Sequence, residues 1–553
     1  MQIHGIDVDW TALTAPVPIW YAQVTDQQWL TAATSVHRAG GRLVALWASG
    51  TTDAANTADS DDAANPIAND APSTGDSTGD PVVCAAYSVA DGLAWLALAL
   101  TLQDDRWVYP DLSKVFYAAS RMQRAAADLS GVFAAGASDV RPWINHGAWP
   151  TGYYPLQHGG PNMSVPAPTA LTDYPFVRVQ GDGVHEIAVG PVHAGTIEPG
   201  HFRFSVVGEK VQRLEERLGY THKGIEQRMT QLPPLQACRL AGRVSGDSTV
   251  AYAWAYCMAL ESATGILIPP RAAWLRALML ERERVANHLG DLGALGNDAA
   301  FAFGLAQFSR LREDWLRGSN MAFGHRLMMD CVVPGGVRSD LDGLQRDELL
   351  RLGSHVESEV RTLHHIYESH AGLQDRFLTT GRVTPALAAQ LGLTGLAGRA
   401  SGQPQDLRSD HPCLPYDLLK VRTATHQNGD VAARVLLRFD EIFESLRLIR
   451  RMLLELPHGD IQRAITWPAA ASRGMGWVEG WRGEIVVAID LCGSDASDEP
   501  NTPNRPNSIL RCHLHDPSWQ NWPVLEHAIM DNIVPDFPLI NKSFNLSYSG
   551  HDL

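Results

Sequence analysis

Between residues 271 and 292, two stripes of side chains run along one helical period, and this pairing constrains the fold more than any other feature. Leu275, Leu278, Val285, Leu289 and Leu292 recur at three- and four-residue steps. Glu281, Arg284, His288 and Asp291 recur at the same steps on another face. The pattern predicts a long helix with one packed side and, by default, one solvated polar side. Residues 440–456 repeat it with Ile442, Leu446, Ile449, Leu453 and Leu456. Helices are therefore expected to dominate after Ser245 and to assemble as a bundle.

The chain before Ser245 reads differently. "RLVALWASG" (42–50) and "GLAWLALALTL" (92–102) are short apolar runs, expected to be paired strands of a small α/β domain. Between them, residues 51–80 hold seven Asp, no Lys or Arg and almost no large apolar group. Such a segment buries too little to offset its ordering entropy, so 51–82 is expected to be a disordered insertion. A Gly- and Pro-bearing stretch within 157–182 reads as a linker. "HEIAVG" and "HFRFSVVGEKVQRLEERLGY" follow as strands, with His201, Arg203 and Ser205 facing one way, Phe202, Phe204 and Val206 the other, and a turn at Gly208-Glu209. "RGEIVVAIDL" (482–491) is strand-like, and the tail from Val534 reads as irregular. The expected fold is α+β: a small N-terminal α/β domain (1–156), the linker (157–182), and a mainly α-helical bundle domain fringed by small antiparallel sheets (183–553).

The formal charge of −16 and the lack of any Lys/Arg run exclude a nucleic-acid partner. The seven cysteines (84, 238, 257, 331, 413, 492, 512) are scattered and never form Cys-x-x-Cys, so they suggest neither a disulfide framework nor a zinc site. A reducing cytosol is the default. No signal peptide is expected at the N-terminus, and the longest apolar run is too short to span a bilayer.

Two tetrads share an unusual spacing: Ser245-Gly246-Asp247-Ser248, and Ser547-Tyr548-Ser549-Gly550 near the end of the chain. Locally the first reads as a helix start, with Ser or Asp capping exposed N–H groups and the helix running to Gly265.

Six ordered motifs carry a resemblance: "GPVHAGTIEPGHFRF", "GYTHKGIEQRM", "RVSGDSTVAYAWAYCMALE", "ERERVANHLGDLGAL", "GWVEGWRGEI" and "VPDFPLINKSFNLSYSG". Together they resemble the large subunit of energy-converting (group 4) nickel–iron hydrogenases, homologous to the quinone-site large subunit of complex I. Upstream, "YPDLSKVFYAASRMQRAAADLSGV" and "DVRPWINHGAWPTGYYPL" resemble the complex I accessory subunit, fused as in formate-hydrogenlyase-type hydrogenases. The likeness covers roughly 84–156 and 183–550.

Departures from the family carry the functional reading. Its four metal-binding cysteines correspond to Ser245, Ser248, Ser547 and Gly550. A serine hydroxyl stays protonated near neutral pH and suits low-valent nickel or iron poorly, and glycine offers no ligand. The resemblance thus implies a vacated metal site, with no hydrogenase activity and no cofactor bound by this chain.

Other positions match by resemblance. Glu198 takes the place of the proton-gate glutamate, His201 of the quinone-reaching histidine, Asp298 of the aspartate that pairs with that histidine, and Arg482 of the arginine over the metal site. His222 falls in the segment that faces an iron–sulfur partner. From the residues alone, each has another reading. Glu198 caps its own loop, His201 is a structural strand histidine, and Arg482 pairs with Glu479 or Glu484. His288 lies on a solvated face, and His222 with Glu226 forms a helix-start turn. Complex I's tyrosine would fall near Ser245-Gly246, its second histidine reads Leu295, and the accessory domain's acidic element reads Gln123-Arg124-Ala125.

The resemblance implies a redox subunit on the cytoplasmic face of a membrane. Its partners would be an iron–sulfur small subunit, which holds the cluster, and membrane antiporter-like subunits. Quinone is a possible substrate, and NAD binding is implied for the assembly by family alone. The alternative is an inactive structural or coupling subunit. A pocket open around Glu198, His201 and Arg482 favours the first, and a filled one the second.

Overall fold

The computed structural model describes residues 1–49, 81–157, 173–193, 197–495 and 506–553. The expected disordered insertion lies outside these residues except for Pro81 and Val82. The N-terminal domain is built on a five-stranded sheet in the order Thr11–Ala12, Ile19–Val24, Gly92–Ala99, Val82–Val89, Arg42–Ser49. The expected pairing of 42–50 with 92–102 is corrected: Val82–Val89 lies between them, antiparallel to both. The two-residue turn at Ala90-Asp91 leaves Val82–Val89 no neighbour but Gly92–Ala99 on one side.

These strands read as continuous apolar runs because the sheet is covered on both faces. Leu43, Leu46, Val83, Ala85, Tyr87, Leu96 and Leu98 pack with the helices Asp26–Arg38 and Ala119–Ser130 of their own domain. Val44, Trp47, Cys84, Ala86, Trp95 and Ala97 belong to the core of the larger domain. Trp47 stacks on His513 at 4.8 Å, Arg511 Nε donates to the Ala48 carbonyl at 3.0 Å, and Arg42 pairs with Glu484. The N-terminal sheet and the rest of the chain therefore share one packed interface.

The larger domain begins with the sheet Val184–Val189, His201–Val207, Lys210–Arg217, with His201–Val207 central. Phe202, Phe204 and Val206 are fully buried, matching the expected alternation. Its bundle comprises Thr249–Thr264, Pro270–Asp298, Ala302–Phe323, Gly343–Ser369 and Val431–Glu455. Thr249–Thr264 is buried all round and rests on the sheet Ser472–Glu479, Glu484–Leu491, Ile509–His515. Glycine is required at 474 and 476, where a Cβ would collide with the carbonyls of Ala259 and Ala255.

The polar stripe of Pro270–Asp298 is not solvated. Glu281, Arg284, His288 and Asp291 are all buried, because charged groups from distant segments meet them. Glu281 accepts two bonds from Arg408 Nη1 (3.0 and 3.1 Å), one from Tyr416 (2.8 Å) and one from Ser445 (2.6 Å). Glu441 accepts from Arg399 (3.0 and 2.7 Å) and lies 2.8 Å from His288 Nε2. Arg399 also reaches Glu479 at 2.9 Å, and Arg438 reaches Asp291 at 3.0 Å. Burial opposes these charges, but the guanidinium groups prevail and hold Glu281 and Glu441 below the ordinary carboxylate range.

The tail is also corrected. It forms the helices Phe537–Phe544 and Tyr548–Asp552, with Pro538 in the first turn of the former, where proline is compatible with a helix.

Removing one partner from a buried ion network leaves an uncompensated charge. Arg399→Ala is expected to lower unfolding stability by about 3–5 kcal/mol, measured by urea denaturation. A loss below ~1 kcal/mol, the value typical of exposed pairs, would contradict the packing described.

Candidate functional site

Helix Pro234–Ala241 ends at Gly242, and a loop then carries Ser245 into a short 3-10 turn, Gly246–Ser248. Ser245 and Asp247 do not cap the helix that follows. The buried first-turn N–H groups of Val250 and Ala251 donate instead to Glu283, at 2.7 and 3.2 Å. Glu283 reaches them from the neighbouring long helix, and burial pushes its carboxyl up to about 8. The helix does end at Gly265, in a left-handed conformation.

Freed from capping, the tetrad turns toward the tail. Ser245 Oγ donates to Asp247 Oδ1 at 2.6 Å and lies 3.2 Å from Ser547 Oγ. Ser547 Oγ in turn accepts from Gly550 N at 2.8 Å. The two tetrads, 302 residues apart, thus meet on one buried floor.

Arg482 occupies that floor. Its Nη1 and Nη2 donate to the two oxygens of Asp247 at 3.0 and 2.5 Å, its Nη1 reaches Ser248 Oγ at 3.3 Å, and its Nε donates to the Asn545 carbonyl at 2.6 Å. The guanidinium also lies 4.0 Å from the Trp481 ring centroid. Asp247 is therefore its partner, in place of the expected Glu479 or Glu484. Those carboxylates are engaged elsewhere: Glu479 by Arg399, and Glu484 by Arg42 and Trp477. Burial alone would raise the Asp247 carboxyl, but the charge and hydrogen bonds of Arg482 bring it below its ordinary value.

Asp516 closes the remaining side. Its Oδ2 accepts from Tyr252 Oη at 2.8 Å and its Oδ1 from Ser518 N at 2.8 Å. A side chain on Gly550 would begin inside the contact radius of Asp516 Oδ2 and 2.9 Å from Ser547 Oγ. A nickel–iron centre does not fit this donor set. At the positions where the resemblance puts four thiolates stand three hydroxyls and a glycine, a carboxylate abuts the fourth, and a fixed guanidinium already pairs with Asp247.

Of the other expected site residues, Glu198 reaches the tail tetrad, whereas His201, Asp298 and His222 lie in separate surroundings. Glu198 accepts from Ser549 N at 2.8 Å, which sets it beside the tail tetrad. His201 Nδ1 lies 3.3 Å from the Gly190 carbonyl, and its Nε2 accepts from Arg203 Nε at 3.3 Å. Burial, with Arg203 and His193 nearby, lowers its pKa. Asp298 ends the long helix, its carboxyl raised by burial against the pull of Lys542. Among the described residues, no hydrogen bond or ion pair joins His201 to Asp298 or either one to Arg482.

His222 Nδ1 lies 2.7 Å from the Asp552 carbonyl. It does not act as an i, i+4 partner of Glu226, which pairs with Arg511 (2.8 Å) and His513 (2.7 Å). Asp552 itself accepts from Gly219 N and from the Thr221 amide and hydroxyl at 2.8, 3.0 and 2.8 Å, pinning the tail to this loop.

Sequence reasoning missed Asp516, the pairing role of Asp247, and the tail anchor Asp552. Asp247 was visible inside the tetrad, whereas nothing local to "LHDPSW" marks Asp516.

Comparisons with known proteins show the family. The family described as "Respiratory-chain NADH dehydrogenase, 49 Kd subunit" matches residues 295–475. Formate hydrogenlyase subunit 5 of Escherichia coli (strain K12) is 30% identical over 462 residues, 83% of this chain and 79% of that protein. The carbon monoxide-induced hydrogenase of Rhodospirillum rubrum is 31% identical over 362 residues, 65% of this chain and 97% of that protein. The C/D subunit of the NADH-quinone oxidoreductase of Phocaeicola vulgatus is 28% identical over 411 residues, 69% of this chain and 77% of that protein. These similarities place the chain among the large subunits of oxidoreductase complexes. It belongs to the family that unites group 4 hydrogenase large subunits with their counterpart in complex I.

Two outcomes test this geometry. Gly550→Cys is expected to destabilise the fold by about 1–3 kcal/mol through overpacking, and Asp516→Ala in the same chain to recover most of that loss. Failure of the second change to recover stability would show that Asp516 does not set the limit. His515, beside this floor, is pushed down to about 3 by burial and by neighbouring His513. Unfolded imidazole titrates near ~6.5, so the unfolded chain binds more protons across this window and stability is lost as pH falls from there toward 3. His515→Gln is expected to flatten that slope by up to ~1.4 kcal/mol per pH unit. Parallel slopes in urea denaturation at pH 4–6 would count against it.

Proposed function

We propose that this chain is a metal-free large subunit of a membrane-associated, hydrogenase- or complex-I-like assembly, serving as a structural and coupling element and not as a hydrogen-converting centre. The observation that carries this reading is the occupied floor between the tetrads. Arg482 is clamped by Asp247, and Asp516 stands against Gly550. An ion pair held in this way fixes the relation between the loop at 245–248, the strand end at 482 and the tail, so the former metal pocket becomes a joint among three segments. An iron–sulfur small subunit would dock near His222, and membrane partners would carry any ion movement.

A second reading rests on Glu198, whose carboxylate remains beside the tail tetrad through Ser549. In that reading the chain passes electrons from the iron–sulfur partner to a quinone or other small acceptor, with Glu198 supplying protons.

The test is purification with native partners, followed by metal analysis, an acceptor screen with quinones, hydrogen and formate, and two variants. The structural reading expects nickel well below one per chain, loss of assembly in Arg482→Ala, and unchanged electron transfer in Glu198→Gln. A tenfold or greater fall in acceptor reduction in Glu198→Gln, with assembly intact, transfers the assignment to the redox reading. Stoichiometric nickel overturns both.

A further inference from the structure

The scattered cysteines gave no disulfide pattern in sequence, yet the fold brings two together. Cys238, on the helix Pro234–Ala241, and Cys257, on the helix Thr249–Thr264, place their sulfurs 3.4 Å apart. Among the described residues this is the one contact between thiols. Cys238 Sγ also donates to the Val332 carbonyl at 3.5 Å, a bond that closure would release, and Cys331 is bonded to the carbonyls of Phe323 and Met329. A disulfide bond is about 2.05 Å long, so closure needs an approach of about 1.4 Å. The short helix can supply it. It is eight residues long and only its inner side is buried, whereas Leu235 and Arg239 on its outer side are exposed. Cys257, by contrast, is fixed in the helix that rests on bare glycine backbone. The segment between the two cysteines contains Ser245, Asp247, Ser248 and Tyr252, which form the loop side of the floor.

We infer that Cys238 and Cys257 form a peroxide-responsive dithiol that closes to a disulfide and locks the loop 239–256 around the tetrad. The step balances with hydrogen peroxide as the oxidant. The Cys238 sulfur attacks one peroxide oxygen, the O–O bond breaks, and a sulfenic acid and one water result. The Cys257 sulfur then attacks the sulfenic sulfur, the S–O bond breaks, and a second water leaves. Two thiols and one peroxide thus give one disulfide and two waters. Cys238 is itself only 4% exposed, but it lies on the helix whose outer side faces solvent, so peroxide enters from its side and Cys257 resolves. Burial, together with the adjacent Cys238 thiol, keeps Cys257 protonated until then. The inference does not depend on which functional reading holds, since both keep the same loop.

The experiment treats the purified complex with hydrogen peroxide, blocks free thiols and digests with trypsin. Arg239 and Arg243 separate the two cysteines, so a disulfide appears as peptide 229–239 joined to 244–271. The expected result is that this joined pair dominates the oxidised protein, vanishes with reductant, and raises the thermal midpoint by a few degrees, as loop closure predicts. Cys238→Ala should abolish it, whereas Cys512→Ala should leave it intact. Both thiols remaining fully alkylatable after treatment, overoxidation of Cys238 without crosslinking, or a crosslink from either cysteine to Cys512 would each overturn the inference. Because the joined peptides are read directly in the unmodified chain, a variant that fails to fold does not remove the test.

Discussion

A buried set of guanidinium and carboxylate groups governs the rest of this structure. Arg399, Arg408, Arg284 and Arg438 meet Glu281, Glu441, Glu479, Asp406 and Asp291 with almost no exposure to solvent. Each charge is costly to bury alone, and the cost is met only when all the segments are in place. The network therefore acts as a registration device. It joins the long helix Pro270–Asp298, the helix Val431–Glu455, the loop around 399–408 and the strand ending at Glu479. Asp291 extends the network toward the tetrads, because Asn545 donates to its Oδ1 at 2.7 Å while the Asn545 carbonyl receives Arg482. The floor is thus a peripheral member of the same charge system.

This continuity ties the floor to the scaffold through side chains of the bundle and the tail. A buried pocket lined by carboxylates needs a positive charge to offset them. Here Arg482 supplies it, with Asp247 bound to both its terminal nitrogens and Asp516 and Asp291 nearby. The serine hydroxyls then need only to hydrogen-bond one another and the adjacent amide, which the Ser245–Ser547–Gly550 chain of contacts does.

Much of the architecture was legible in the sequence, and the exceptions share a cause. The long helix, the strand alternation at 201–206, the helix end at Gly265 and the coming together of the tetrads all followed from period, turn residues or resemblance. The polar stripe at 281–291 was misread as solvated because the partners that neutralise it lie more than a hundred residues away. The first tetrad was misread as a cap because Glu283, from another helix, performs that task. The tail was misread as irregular because its prolines fall in helix first turns, where they are compatible with the conformation they usually end. Period and propensity describe a segment in isolation. Burial of charge is decided by what arrives from elsewhere.

The glycines at 474 and 476 have a wider consequence. A helix resting directly on strand backbone has no side-chain cushion to absorb displacement, so the height of Thr249–Thr264 above the sheet is set by covalent geometry and not by the choice of packing residue. The loop that opens this helix inherits that fixed height, and so does its distance to the tail. The floor is thus held to a closer tolerance than hydroxyls and an ion pair require. It is a rigid seat on which different polar side chains can be exchanged without rebuilding the bundle.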